Sequence, residues 1–253
     1  MVRLEDLVKD VKMTEILYWQ DSYAKTFQGS MLRLEPDDKG HAYIILDRTV
    51  FHPKSGGQPS DKGKIIGMDF ELEVKKAMLN GGIVIHWAKV RNGEPKLSQV
   101  VGEVNWDLRY LLMRRHTAAH LYDHCLANAT GKRVETTDSW LGDECYVGYK
   151  GKVPSTNQLQ EAEKMANRMI KAGASVHVST ISHDELIRSV PDAPNIFRLP
   201  RFDSYRIVEI EDCKPIPCGG THLRNISEIG KFTLKSAETS DLGFRVHYDV
   251  NEI

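Results

Sequence analysis

The sequence has little cysteine, no excess of charge of either sign and no long apolar run, and each shortage excludes a class of protein. Four cysteines in 253 residues do not suggest a disulfide scaffold. The formal net charge of −1 gives no global basic field, so any contact with nucleic acid must come from local clusters of Lys and Arg. No segment approaches the roughly 18 apolar residues of a membrane-spanning helix. The composition, with 41% hydrophobic and 27% charged residues, is that of an ordinary soluble globular protein, for which we expect a cytoplasmic location.

Up to about residue 106 the pattern predicts short β-strands. Residues 31–34 and 41–46 flank a strong turn signal at 36–40 (PDDKG), which predicts a hairpin. Residues 70–74 and 83–87 flank a second turn signal at 79–82. Several short strands separated by turns at this spacing indicate a small β-barrel.

From Asp107 onward the pattern is helical. Apolar residues recur at helical spacing over 108–128, with Asp107 as the predicted N-cap and Gly131 as the predicted end of the helix. A second helix is predicted over 157–172, preceded by a capping-box motif at 155–158. Four further strands are predicted, at 144–150, 175–180, 231–236 and 244–250.

The change of pattern predicts two domains and an α+β fold. An N-terminal small β-barrel domain is predicted over residues 1–106, and an α+β domain over residues 107–253.

Two motifs in the second domain supply ligands for a metal ion. The HTAAH motif at 116–120 places two imidazoles one helical turn apart, on the same face of the predicted helix. The CGGTH motif at 218–222 adds a thiol and a third imidazole, and its glycines favour a tight turn. Three imidazoles and one thiolate suit tetrahedral Zn²⁺ and leave it a charge of about +1, whereas four thiolates would leave about −2. We therefore predict a zinc site formed by four ligands: His116, His120, Cys218 and His222.

Neighbouring residues offer alternatives to this ligand set. His124 continues the stripe of His116 and His120, but zinc needs no fifth protein ligand, so we expect it beside the site or on the surface. Cys213 could compete with Cys218 as the thiolate. A metallopeptidase would carry a glutamate general base directly after the first histidine, where this sequence has Thr117.

With these residues in place, the sequence resembles the freestanding alanyl-tRNA editing proteins, the AlaX family, which are similar to the editing domain of alanyl-tRNA synthetase. The family carries H-x-x-x-H on a helix and C-x-x-x-H in a later turn, here at 116–120 and 218–222. A third match is the glycine-rich segment at 51–63 (FHPKSGGQPSDKG), and the tail at 236–245 also matches. The resemblance spans nearly the whole chain, and the glycine-rich segment with its barrel is typical of the medium-length form. Ala119 departs from the family, which often has Thr before the second histidine.

The resemblance implies a zinc-dependent aminoacyl-tRNA hydrolase whose substrate is tRNA(Ala) mischarged with serine or glycine. A pocket for alanine cannot strongly exclude a slightly larger residue with a hydroxyl, whereas a second site that hydrogen-bonds the hydroxyl can reject alanine. The family places a polar residue after the metal-binding helix, close to the substrate side chain. We predict Thr137 in this role rather than Thr136, with Gly56, Gly57 and Gln58 nearby.

Local basic groups are the candidates for contacts with tRNA. Arg114 and Arg115 adjoin the metal motif and are predicted to meet phosphates of the acceptor end. Other groups lie elsewhere in the sequence: Lys75–Lys76, Lys132–Arg133, Lys150 with Lys152, and Arg198 with Arg201. Each cluster taken alone is more often a solvated face.

Two other functions stay open. A zinc-stabilised tRNA-binding module without catalysis would have a saturated metal site and no ester turnover. An editing hydrolase for Ser-tRNA(Thr) would use the same metal scaffold, although residues 219–221 (GGT) favour the alanyl branch over the threonyl branch. Zinc that activates a water and zinc that positions the substrate both fit the ligand set.

Overall fold

The structure, a computed structural model, describes residues 3–251. They form two compact units. The first comprises the described residues up to Ser55 together with Pro59–Leu111, and the second comprises Gly56–Gln58 together with the described residues from Leu112 onward. The α+β fold class is confirmed. The domain ranges 1–106 and 107–253 stay a prediction, and their outermost two residues at either end lie outside the described part.

A closed six-stranded barrel dominates the first unit, as predicted. Its strands pair in the order β2-β3-β7-β6-β5-β8, and every pairing is antiparallel. The predicted hairpin joins β2 to β3, with Asp37 opposite His41. The barrel is filled by apolar side chains from alternate strand positions, such as Leu72 and Val74. The described residues of this unit include a short α-helix and eight strands: α1 (Leu4–Leu7), β1 (Glu15–Ile16), β2 (Thr26–Asp37), β3 (His41–Leu46), β4 (Arg48–Thr49), β5 (Gly63–Ile66), β6 (Glu71–Asn80), β7 (Ile83–Asn92) and β8 (Gln99–Val104).

The second unit combines helices with two small sheets. One sheet has the order β14-β15-β10-β9 and the other the order β11-β12-β13. The elements are α2 (Trp106–Thr130, whose first turns belong to the first unit), β9 (Thr136–Trp140), β10 (Tyr146–Tyr149), α3 (Thr156–Ala172), β11 (Val176–Ser182), α4 (His183–Ser189), β12 (Ser204–Ile210), β13 (Ile216–Pro217), β14 (Lys231–Ser240) and β15 (Gly243–Asn251).

Helix α2 carries the HTAAH motif, and its ends differ in one respect from the prediction. The predicted N-cap, Asp107, was the wrong residue: Asn105 caps the helix, because its Oδ1 accepts a hydrogen bond from the Leu108 N–H at 3.1 Å. Asp107 lies in the first turn, where a carboxylate is favoured by the helix dipole. The predicted end is confirmed, since Gly131 takes a φ of +65° and the Lys132 N–H donates to the carbonyl of Ala127.

The remaining elements follow local signals. Helix α3 begins with the predicted capping box, in which Ser155 and Gln158 exchange hydrogen bonds. The strands predicted near the end of the chain are present as β14 and β15. Helix α4 and strands β9, β12 and β13 of the second unit were not predicted. Among the described residues, no helix combines the length and the hydropathy of a membrane span.

Candidate metal centre

Two elements bring the predicted ligands together. Helix α2 presents His116 and His120, and the loop after β13 presents Cys218 and His222. One ligand atom from each residue lies within 4.8 Å of the others, and no second group of this kind exists among the described residues. The Cys218 Sγ lies 3.3 Å from the Nε2 of both His116 and His222. Such spacing suits four donors that converge on one ion.

The loop that holds Cys218 is fixed by Arg206 of β12. The Arg206 Nη1 donates to the carbonyls of Cys218 and Gly220, each at 2.9 Å, and the Cys218 N–H donates to the Arg206 carbonyl. Position 220 must be glycine, because a Cβ there would lie 2.2 Å from Cε1 of His116. The loop therefore approaches the His116 side of α2 so closely that no side chain fits between them.

Two histidines of the cluster are held through Nδ1. The His116 Nδ1 lies 2.9 Å from Oε1 of Gln58, a fully buried side chain. The His222 Nδ1 lies 3.2 Å from Oγ1 of Thr117, which also accepts the Leu223 N–H at 3.1 Å. Both imidazoles thereby turn their Nε2 atoms toward Cys218.

His120 differs from the other two. Its Nδ1 is buried and has no hydrogen-bond partner within the described chain. Burial lowers its pKa to about 3, and the nearby positive charge of Arg206 contributes to the decrease. A neutral imidazole with an unsatisfied buried nitrogen is costly unless a ligand completes it.

Zinc fits these four residues. Burial raises the pKa of the Cys218 thiol, while the Gly220 N–H and the charge of Arg206 oppose the rise. A bound metal ion would reverse this and hold the thiolate. Neutral imidazoles and a thiolate are the donors that Zn²⁺ prefers.

Comparison with known proteins identifies the family. The model for class II (A) tRNA synthetases matches residues 3–108, and the model for the second additional domain of threonyl and alanyl tRNA synthetases matches residues 205–244. The alanyl-tRNA editing protein AlaX-M of Methanosarcina barkeri is 36% identical over 86% of this chain and 90% of its own length. The AlaX-M protein of Methanosarcina acetivorans is 34% identical over the same shares. This chain belongs to the AlaX-M family.

Similarity extends to full synthetases. The alanine–tRNA ligase of Methanococcus vannielii is 33% identical over 94% of this chain, which corresponds to 26% of the ligase. The resemblance to the editing part of alanyl-tRNA synthetase, expected from the motifs, is therefore confirmed for this AlaX-M family member.

In this AlaX-M family member, Gly56 and Gly57 of the glycine-rich segment are held by hydrogen bonds at β9 and the residue that follows it. The Gly56 carbonyl accepts a hydrogen bond from the Ser139 hydroxyl, and the Gly57 carbonyl accepts one from the Leu141 N–H at 3.0 Å. Gly57 takes a φ of +85°, and a Cβ there would lie 2.2 Å from the Ser139 Oγ, so glycine is required. The two glycines anchor this segment, and Gln58, the next residue, reaches His116.

The two threonines at the start of β9 differ in how their hydroxyls are used. The Thr136 hydroxyl donates to the Pro194 carbonyl at 3.2 Å and accepts from Nη2 of Arg198 at 2.8 Å. The Thr137 hydroxyl donates to the Asp138 carboxylate at 3.0 Å. The Thr137 oxygen keeps lone pairs that can accept a hydrogen bond.

The predicted contacts of Arg114 and Arg115 with phosphate are wrong. Both side chains are buried and are used inside the protein. Arg114 donates to the carbonyls of Ile229 and Asn251. Arg115 donates to the carbonyls of Leu141 and Gly142 and pairs with Asp249. A buried guanidinium must use its five donors locally, so neither is available to RNA.

Sequence reasoning missed several residues that build the centre. The hydrogen bonds of Thr117 and Arg206 depend on groups more than ten residues away in sequence, so neither motif spacing nor periodicity indicates them. His124 and Cys213 both lie outside the group of potential ligands. The ligand roles of His116, His120, Cys218 and His222 stay predictions that this geometry supports.

Proposed function

We propose that this chain is a trans-editing hydrolase that removes serine from mischarged tRNA(Ala) at a zinc site. The observation that carries the proposal is the convergence of three imidazoles and one thiol in a member of the AlaX-M family. Four residues would hold the zinc: His116, His120, Cys218 and His222. When bound, the ion would supply a Lewis acid that polarises the ester carbonyl or lowers the pKa of a water.

The protein side chains supply orientation and selectivity. Gln58 and Thr117 hold two imidazoles in fixed orientations, so the ligands need not reorganise when the ester arrives. Thr137 is the residue that we assign to the serine hydroxyl. The Thr137 hydroxyl donates its hydrogen bond to the Asp138 carboxylate, so the Thr137 oxygen is left to accept a hydrogen bond from the hydroxyl of serine. Alanine has no hydroxyl to donate this hydrogen bond, so it would leave the Thr137 oxygen unpaired and would be rejected.

One observation favours a zinc-stabilised tRNA-binding module as the second candidate. Four protein ligands make a closed site, which is typical of structural zinc. Such a module would bind tRNA(Ala) but leave the ester intact. Editing of Ser-tRNA(Thr) is the remaining alternative, and it uses the same residues.

The test is a deacylation assay with Ser-tRNA(Ala), Gly-tRNA(Ala), Ala-tRNA(Ala) and Ser-tRNA(Thr) side by side, with zinc measured in the same preparations. We expect about one zinc per chain and rapid turnover of Ser-tRNA(Ala) with little of Ala-tRNA(Ala). Cys218→Ala should lose both metal and activity. No turnover by a zinc-loaded protein that still binds tRNA(Ala) would establish the binding module instead.

The role of Thr137 has its own variant. Thr137→Val keeps the shape and deletes the hydroxyl, so the ratio of single-turnover rates on Ser-tRNA(Ala) and Ala-tRNA(Ala) should fall by a few-fold to about tenfold, equivalent to roughly 0.5–1.5 kcal/mol. Thr136→Val is the matched control, since its hydroxyl is already used by Pro194 and Arg198. Zinc content should be unchanged in both. A ratio that falls only in Thr136→Val would move the contact to that residue.

A further inference from the structure

Gln58 makes three hydrogen bonds in the centre. The direction of one of them, from the Thr221 N–H, determines the directions of the other two. The Thr221 N–H lies 3.1 Å from one atom of the Gln58 amide, and a backbone N–H can only donate. That atom must therefore be the oxygen, Oε1. The other amide atom, Nε2, then donates to the Thr221 hydroxyl at 2.9 Å.

The same reasoning determines the protonation of His116. Its Nδ1 lies 2.9 Å from Oε1 of Gln58, and an oxygen without a hydrogen can only accept, so Nδ1 carries the proton. Nε2 then keeps its lone pair, and it is the atom that faces Cys218 Sγ at 3.3 Å. The Gln58 side chain is fully buried, so water does not compete for these contacts.

We infer that Gln58 is a positioning residue, which holds His116 in the Nδ1–H tautomer and aims its Nε2 at the metal. Gln58 thereby connects the glycine-rich loop to a ligand of α2. This role differs from the substrate contact predicted for Gln58, because both lone pairs of Oε1 are already used by Thr221 and His116. The inference rests on the metal site of the proposed function and is independent of the substrate.

Thr221 makes Gln58 rigid. Its backbone N–H donates to the Gln58 amide and its side-chain hydroxyl accepts from the same amide, so the amide can neither flip nor rotate without losing both hydrogen bonds. Gly220 completes the arrangement, since a Cβ at that position would lie 2.8 Å from Oε1 of Gln58. The CGGTH motif thus supplies two ligands and also the support for Gln58.

The experiment compares the wild type with two variants that differ from it only in the side chain at position 58. Gln58→Met keeps the length of the side chain and removes the acceptor. Gln58→Glu keeps an acceptor oxygen toward His116 and the Thr221 N–H, and the Thr221 hydroxyl can turn to donate to the carboxylate. Zinc affinity, measured by competition with a chromophoric chelator, should fall 10–100-fold in Gln58→Met and stay within a few-fold of the wild type in Gln58→Glu.

A spectroscopic measurement on the zinc-loaded wild type keeps the inference falsifiable even if Gln58→Met does not fold. Long-range ¹H–¹⁵N correlation should show His116 as the Nδ1–H tautomer, with its Nδ1 proton in slow exchange. In folded Gln58→Met the same proton should exchange faster. An Nε2–H tautomer in the wild type would overturn the inference, as would equal zinc affinity in wild type and Gln58→Met or an equal loss in Gln58→Met and Gln58→Glu. Absence of editing activity would leave these readouts unaffected and would count against the proposed function alone.

Discussion

A threonine and a histidine make the same arrangement in both units. In the barrel unit, the Thr49 Oγ1 accepts the Phe51 N–H at 3.1 Å and lies 3.0 Å from Nε2 of His86. In the second unit, the Thr117 Oγ1 accepts the Leu223 N–H at 3.1 Å and lies 3.2 Å from Nδ1 of His222. Both threonines are fully buried.

The two histidines differ in what their second nitrogen meets. The His86 Nδ1 lies 3.2 Å from the carbonyl of Ile44, so both of its nitrogens have partners within the first unit. The second nitrogen of His222 faces the sulfur of Cys218, beside another imidazole with an unsatisfied atom. We therefore interpret the network around His86 as structural, and we predict that the cluster around Cys218 is a ligand site, because its donors converge and one buried nitrogen has no protein partner.

The largest effect is expected from a second complete network of the barrel unit, a buried ion pair from which one partner is removed. Arg109 is fully buried in the barrel unit, where it pairs with the buried carboxylate of Asp61 and donates to the carbonyls of Ser22 and Val50. Arg109→Ala should lower the free energy of unfolding by about 3–5 kcal/mol, because it leaves an uncompensated buried charge. Urea denaturation measures the loss.

The matched control for Arg109 is an exposed arginine of the same unit. Arg91 pairs with Glu73 at the surface, and Arg91→Ala should cost less than about 1 kcal/mol. The folded fraction of both variants should keep its zinc. Equal losses in the two variants would mean that the buried pair contributes no more than a surface one.

A second test uses the pH dependence of the complete network. Burial lowers the pKa of His86 to about 4, and the hydrogen bond to Ile44 only partly opposes this. The unfolded chain, with a histidine pKa near 6.5, therefore binds a proton that the folded barrel does not, and stability falls as the pH decreases from about 6.5 to 4. The slope from this one group should approach 1.4 kcal/mol per pH unit.

His86→Gln isolates this contribution, because glutamine does not titrate. Urea denaturation at several pH values gives the slope of the free energy of unfolding against pH. Between the wild type and the variant, this slope should differ by an amount that corresponds to about one bound proton over this range. The metal-site histidines contribute equally to both proteins. Identical slopes would show that His86 is protonated in the folded barrel and that its network is not complete.

Features that are determined by residues close together in the sequence could be predicted, whereas contacts between distant residues could not. The β2–β3 hairpin, the capping box of α3 and the end of α2 at Gly131 are determined by neighbouring residues, and all three are confirmed. The four potential ligands could be proposed because each pair is local, although their meeting required the fold.

The environment of a side chain could not be predicted in the same way. Arg114 and Arg115 look like a basic surface cluster in the sequence, yet distant backbone carbonyls of the second unit bury and bind them. The amide of Gln58 lies 163 residues from its partner Thr221. Burial and hydrogen-bond partners of this kind are decided by tertiary packing, which leaves no periodic trace in the sequence.

The smallest expected effect is also the most direct test of the comparison, because the same substitution applies to both threonines. Thr49→Val and Thr117→Val each delete one hydroxyl and leave a buried N–H and an imidazole nitrogen without their partner. Each should lower the free energy of unfolding of the metal-free protein by about 1–3 kcal/mol. Stability alone therefore does not distinguish the two regions.

Zinc affinity should separate them. Thr117→Val releases the imidazole of His222, a predicted ligand, and should weaken zinc binding about 10–100-fold. Thr49→Val should leave zinc binding unchanged, because the nitrogens of His86 contact Thr49 and Ile44 and no predicted ligand. Chelator competition on the two folded variants measures the difference directly. If both variants bind zinc as the wild type does, Thr117 holds the backbone at Leu223 and not the ligand. If Thr49→Val also loses zinc, the barrel network is not an independent structural element, and the distinction between complete and incomplete clusters fails for this protein.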